Sequence, residues 1–153
     1  MPTLLIVHHT PSPALADMFD AAHDGARDPT IEGVDVVARP ALTATPTDVV
    51  GADGYLLGTP ANLGYMSGAL KDFFDRIYYP CLDATTGRPY GVYVHGNNDT
   101  TGALRAVETI TTGLDWRQVA EPLSVIGTPD SDQLAACREL GATLAAHLAL
   151  HGS

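Results

Sequence analysis

Apolar residues in this chain fall into short dense runs that alternate with longer stretches in which they recur every three or four positions. Leu4 to Val7 is a continuous apolar run, the pattern of a parallel strand buried on both faces. Pro11-Ser12-Pro13 then precedes Leu15, Met18, Phe19 and Ala22 at helical spacing. Ser12 is placed to cap that helix and Pro13 suits its first position. Val34 to Val37, flanked by Gly33 and Pro40, predicts a second strand, and Tyr55 to Leu57, between Gly54 and Gly58-Thr59-Pro60, a third. Leu70, Phe73, Phe74 and Ile77 mark one face of a helix, while Lys71, Asp72, Asp75 and Arg76 form two opposite-charge i,i+4 pairs on the other. Tyr90 to Val94 predicts a fourth strand, Leu104, Val107, Ile110 and Leu114 a helix, Leu123 to Ile126 a fifth strand, and about Asp132 to about His151 a final helix. Ala38 to Gly51 follows neither period and reads as an irregular link or a short helix starting near Thr47.

Strands alternating with helices specify a parallel sheet with helices on both faces, because each right-handed crossover returns the chain to the same edge direction. The expectation is one α/β domain over residues 1–153, a doubly wound five-stranded parallel sheet of strand order 2-1-3-4-5. In such a sheet the crevice lies where the strand order reverses, outside the carboxyl ends of the first and third strands.

Composition narrows the function classes. Apolar residues make up 45% of the chain and charged residues 17%, the balance of a compact domain. The formal charge of −10 repels a polyphosphate backbone and excludes nucleic acid as an expected partner. No apolar run approaches the ~20 residues of a bilayer span, and no basic stretch leads into a signal-type segment, so the expected address is cytoplasmic, without membrane insertion. Cys81 and Cys137 stand far apart, outside any Cys-x-x-Cys spacing, which fits a reducing compartment. Cys137 shares a helical stripe with Leu134, Gly141, Leu144 and Leu148 and reads as core.

Three loops converge on the predicted crevice: His8 to Ala14, Thr59 to Gly68, and His95 to Gly102. They are rich in Gly, Ser, Thr and Asn, which suits backbone N–H groups and hydroxyls that approach a polar ligand closely. The run Thr59-Pro60-Ala61-Asn62-Leu63-Gly64-Tyr65-Met66-Ser67-Gly68-Ala69-Leu70-Lys71-Asp72-Phe73-Phe74-Asp75-Arg76 resembles the second flavin loop and following helix of flavodoxin-like NAD(P)H-dependent FMN reductases and their quinone-reducing relatives. The resemblance is specific over this run, and the order of elements extends it over the chain. It implies a flavodoxin-like fold and FMN as cofactor. It sets the flavin ring against Pro60, Ala61, Asn62, Leu63, Gly64 and Tyr65, with Thr59 a further cofactor-binding candidate at the start of that loop and His95, Gly96, Asn97 and Asn98 covering the other edge.

The first loop departs from the family pattern of hydroxyls around a glycine. Here it reads Thr10-Pro11-Ser12-Pro13-Ala14-Leu15: Pro13 replaces the glycine and removes a donor, and Leu15 replaces the last threonine. Thr10, Ser12 and the amides of Ala14 and Leu15 are the expected phosphate contacts, with weakened affinity. The implied activity is transfer of electrons from NADH or NADPH through flavin to a quinone, a flavin or another small-molecule acceptor, on an open face above Tyr65 and Asn98. An electron carrier of flavodoxin type, and a flavodoxin-like interaction module that has lost its cofactor, are the alternatives.

Plainer readings stand beside several of these residues. Ser12 serves equally as a helix cap, and Lys71, the sole lysine, as a solvated charge. His8, His9 and His95 end strands, but the first and fourth strands are separated by the third and lie roughly 10 Å apart, so no metal site is expected. Trp116 is expected at the surface or an interface near the fifth strand. Tyr78 and Tyr79 suit either a homo-oligomer interface or the core. No Gly-x-x-x-x-Gly-Lys-Ser/Thr or Gly-x-Gly-x-x-Gly motif is present, and Gly58-Thr59-Pro60 stands where a phospho-acceptor receiver needs an aspartate.

Overall fold

A computed structural model describes residues 1–152. Its elements in chain order are β1 (Thr3–His8), α1 (Pro13–Ala26), β2 (Asp35–Pro40), α2 (Pro46–Val50), β3 (Gly54–Asn62), β4 (Tyr65–Met66), α3 (Gly68–Cys81), β5 (Pro89–Gly96), α4 (Thr101–Gly113), β6 (Arg117–Gln118), β7 (Leu123–Ile126) and α5 (Ser131–His151). The parallel sheet runs β2-β1-β3-β5, and β6 and β7 both pair with β5 on its outer edge. The amide of Val119 bonds the carbonyl of Tyr90 at 3.1 Å, so β6 and β7 act as one interrupted fifth strand. With that edge counted once, the order is the expected 2-1-3-4-5, a flavodoxin-like sheet.

Burial on both faces explains the strand patterns. Leu4 and Ile6 of β1 face one core with Leu56 and Tyr93, whereas Leu5 and Val7 face the other with Leu57, Val92 and Val94. Helices α1 and α5 close the first face, and α2, α3 and α4 the second. Helices α1 and α5 approach closely because Gly25 and Gly141 lack side chains: a Cβ on either would run into the other helix's backbone. Cys137 is buried at this contact, as its stripe predicts, and burial pushes its thiol up to about 11.

Several expectations need correction. The third strand does not stop at Leu57 but continues to Asn62, because Thr59 and Pro60 still pair with Val94 and His95 of β5 and Ala61 and Asn62 then pair with the antiparallel β4, Ala61 opposite Met66. Thus most of the stretch read as a loop is a hairpin. The second strand runs over Asp35–Pro40 rather than Val34 to Val37, since its register is set by pairing Thr3 with Asp35 and His8 with Pro40. The short helix in the unpatterned link begins at Pro46, under a capping box in which Thr45 and Asp48 bond each other's amides.

Trp116 is not at the surface. It is 5% exposed, stacks on Tyr55 with ring centroids 4.1 Å apart, and donates its indole N–H to Thr85 Oγ1 at 2.8 Å. The turn after α4 folds it beneath the amino ends of the strands, where the Tyr55 face is its apolar partner. Tyr78 is half-buried against the core while Tyr79 is 80% exposed, so the core reading holds for Tyr78 alone. Both predicted i,i+4 pairs form on α3, Lys71 to Asp75 at 2.5 Å and Arg76 to Asp72 at 2.8 Å. Arg76 also donates to the carbonyls of Ala44 and Ala41 at 2.6 and 2.7 Å, and so pins the link after β2.

The hydroxyl of Tyr93 is fully buried and has no partner among the described residues, which burial alone makes costly. Replacing Tyr93 with Phe removes the orphaned group and keeps the ring. The expected result is a stability gain of about 1 kcal/mol in urea unfolding, and a loss of that size would show that the hydroxyl is satisfied.

Candidate functional site

Every crossover of this sheet leaves its loops at the carboxyl ends of the strands, and there the loops after β1, β3, β5 and β7 enclose a cleft of about 390 Å³. Of the residues singled out in the sequence, Ser12, Ala14, Pro60, Ala61, Asn62, His95, Gly96 and Asn97 line it. Pro11 and Pro13 line it too, as do Gly127 and Thr128 after β7. Those last two escaped the sequence reading. The signal for them was topological, because the fifth strand lies next to the fourth and its outgoing loop must reach the same end.

Seven further candidates are placed outside the lining. Thr10 bonds His8 Nδ1 through its hydroxyl at 2.7 Å. The Leu15 side chain is buried in the core, and its amide is occupied by the Ser12 hydroxyl at 3.3 Å. Thr59 is fully buried; its Oγ1 donates to the Pro60 carbonyl at 2.8 Å and accepts from the Ser67 amide at 3.0 Å. It therefore braces the base of the hairpin rather than facing the cleft. Leu63 and Gly64 form the hairpin tip, with φ of 50° and 77°, and the Leu63 side chain projects fully into solvent. Tyr65 is 41% exposed on the same hairpin, and Asn98 is exposed beyond Asn97.

The first loop combines two features of an anion cradle. Ser12 caps α1 with extended backbone, φ −137° and ψ 159°, so that its carbonyl and hydroxyl both engage the first turn. The N–H of Ala14 finds no partner among the described residues and stands at the positive end of the helix dipole. Pro13 contributes no donor, as the sequence requires. Beyond this turn, burial first, then His23 and His9, holds the His8 imidazole below its usual range, and the ring lies 4.1 Å from that of Phe19. Both effects disfavour a positive charge on His8 beside the loop.

The third and fourth loops are tied together. His95 Nε2 lies 2.8 Å from the Gly127 carbonyl, which requires the ring proton on Nε2, and the Gly127 amide bonds the Gly96 carbonyl at 2.9 Å. The Thr101 amide and then its hydroxyl hold the Asp99 carboxyl below the usual carboxylate range, at 3.0 and 2.8 Å, which orders the turn into α4. No Asp, Glu, Lys or Arg lines the cleft, although the chain carries 26 such residues, 8 basic and 18 acidic. What remains is an uncharged slot with a hydroxyl and a free amide at one end, and the Asn62 and Asn97 amides and exposed strand ends at the other.

Comparison with known proteins agrees with this architecture. No family model matches the chain. A curated flavodoxin of Aquifex aeolicus (strain VF5) is 34% identical over 77 residues, a match that spans 50% of this chain and 40% of that protein, so the chain aligns with less than half of the relative. The structure of a flavodoxin from the domain Archaea superposes with a TM-score of 0.82 at 14% identity, over 97% of this chain and 99% of that one. A flavodoxin, WrbA-like protein from Agrobacterium tumefaciens superposes over all of both chains with a TM-score of 0.79 at 18% identity. The chain is flavodoxin-like in fold throughout its described length. No described helix is long and apolar enough to cross a membrane.

Proposed function

We propose that this flavodoxin-like chain binds FMN in the cleft at the carboxyl ends of its strands and carries electrons from NADH or NADPH to a small acceptor such as a quinone or a flavin. The observation that carries the reading is the character of the cleft: a capped helix start with an unpartnered amide, opening into an uncharged slot between two braced loops. A ligand with one phosphate and a polar, planar ring matches that division.

The donor set fits FMN at both ends. The Ser12 hydroxyl and the Ala14 amide would hold the phosphate, and Pro60, Ala61 and Asn62 with His95, Gly96 and Asn97 would hold the ring. When bound, the flavin supplies hydride and electron transfer, chemistry that no side chain here provides. The chain's residues position and shield. Thr59 and Ser67 fix the hairpin at its base, His95 ties its loop to Gly127, and Pro11 and Pro13 line the phosphate end without adding charge. Leu63 and Tyr65 stand exposed on the hairpin beyond Asn62, and nicotinamide and acceptor would alternate on that open side. The retention of a helix-start anion site speaks for a working flavin protein over a degenerate module. The cleft lining holds no aromatic side chain except the His95 imidazole, which favours an open ring face and a reductase over a one-electron carrier.

Anaerobic titration of the apoprotein with FMN, FAD and riboflavin, followed by mixing of the FMN complex with NADH and NADPH, tests the proposal. Saturable binding with preference for FMN, and bleaching of the flavin band by one of the nicotinamides, are expected. Absence of flavin binding would refute the reading outright, and binding without bleaching would move the assignment to the electron-carrier alternative.

A further inference from the structure

A second cleft, of about 310 Å³, lies at the opposite end of the sheet, and the function proposed above makes no use of it. The turn before β5, the start of β6 and the last turn of α5 form its walls. Arg88, Arg117, His147 and His151 converge there beside one carboxylate, Asp53. The chain has 8 Lys and Arg against 18 Asp and Glu, so two arginines and two of its 6 histidines in one cleft run against its overall charge.

Among the described residues that line the cleft, Asp53 is the one carboxylate set against these four basic groups. Asp53, in the turn before β3, already accepts the Thr3 amide at 2.8 Å. Arg88 is held in place by the carbonyls of Val50, Ala52 and Ala84 at 2.7, 2.6 and 3.1 Å, which fixes its charge at the cleft wall. The exposed Arg117 guanidinium makes neither an ion pair nor a hydrogen bond among the described residues. His147 and His151 sit one helical turn apart with ring centroids 4.8 Å from each other. Burial first, then His151 and Arg117, hold His147 below its usual range. A cation would meet the two arginines, and no trio of metal-ligating side chains is found among the described residues.

We propose that this cleft binds a dianionic oxyanion, free phosphate or the phosphate monoester group of a small molecule, between the Arg117 guanidinium and the His147 and His151 imidazolium groups. A planar guanidinium offers paired N–H donors to two oxygens, and each imidazolium adds one more from the helix side. Binding is coupled to protonation. The dianion favours the charged imidazoles, so their proton affinity rises on binding, and binding strengthens as pH falls through the imidazole range. Arg88, Arg117 and Asp53 are the other charged groups that line the cleft beside the two rings.

Sulfate is the probe, because it remains a dianion from pH 6 to pH 8 and leaves the protein as the only titrating partner. Imidazole NMR signals are followed during a sulfate titration at constant ionic strength in chloride, with His147→Gln and His151→Gln supplying the assignments. Saturable shifts of these two rings are expected, with affinity about tenfold higher near pH 6 than near pH 8. Arg117→Gln should weaken binding about tenfold while its circular dichroism and melting temperature in sulfate-free buffer match the parent. Linear shifts, shifts confined to His8 and His9, or an unchanged affinity in Arg117→Gln would overturn the proposal. Titrations with inorganic phosphate and glycerol phosphate then separate the two sources: tighter binding of the ester identifies a monoester ligand, and equal binding the free ion.

Discussion

Gly58→Ala is expected to cost about 3 kcal/mol of folding stability, enough to lower the melting temperature by roughly 6–12 °C in a domain of this size. Gly58 is paired with Tyr93 on β5 and with His8 on β1, so all three residues face the same side of the sheet. The Tyr93 ring leans across the gap left by the missing side chain, and a Cβ at residue 58 would overlap its hydroxyl and ring carbons. The ring has nowhere to retreat. It is fully buried between the sheet and helices α1 and α5 with Leu15, Met18 and Cys137 in the same cluster. Because the obstacle is one side chain, Tyr93→Leu in the same molecule should recover part of the loss even though that change alone opens a cavity. Urea unfolding of the two single variants and the double variant measures the coupling. Strict additivity would show that Gly58 is required for some other reason.

Ser12→Ala should weaken FMN binding by about 1.5–3 kcal/mol, roughly tenfold to a hundredfold or more, and leave riboflavin binding nearly unchanged. The structure shows Ser12 as a helix cap, and the proposed phosphate contact would be a second task for the same hydroxyl. Its oxygen accepts the Leu15 amide at 3.3 Å, a long cap, while its own proton is still available for a phosphate oxygen. Loss of the cap alone would cost about 1 kcal/mol of folding stability and would affect both flavins equally. The ratio of the two affinities, measured beside a melting curve, therefore separates the tasks. If that ratio is unchanged, Ser12 is a cap only, and the phosphate would have to rest on the Ala14 amide and the helix end.

How much of this was legible beforehand depends on the range over which each feature is determined. Leu4 to Val7, Leu70 to Ile77 and Ser12-Pro13 carry their outcome locally, because strand burial on both faces, helical periodicity and capping are properties of a few consecutive residues. Those local elements, strung in alternation, left one economical topology, and the crevice followed from the strand order. The convergence of Ser12, Asn62, His95 and Asn97 on one cleft was thus readable before any coordinate.

What tertiary structure alone decided are contacts between residues distant along the chain. The hairpin of Thr59 to Met66 reads as a loop because its antiparallel ladder has only two rungs, Ala61 to Met66 and Asn62 to Tyr65, braced by the Thr59–Ser67 bond at its base. Trp116 sits after the last turn of a helix, where sequence suggests exposure, and only the fold brings Tyr55 and Thr85 against it from positions 61 and 31 residues earlier. The same holds for the basic cleft at the amino ends of the strands. Arg88, Arg117 and His147 belong to three separate elements with no common period, and only the return of α5 along the sheet brings them together. Local sequence determined the elements and the place of the first cleft, since both follow from short-range periodicity and sheet topology; side-chain partners across the core depended on packing, which no single segment encodes.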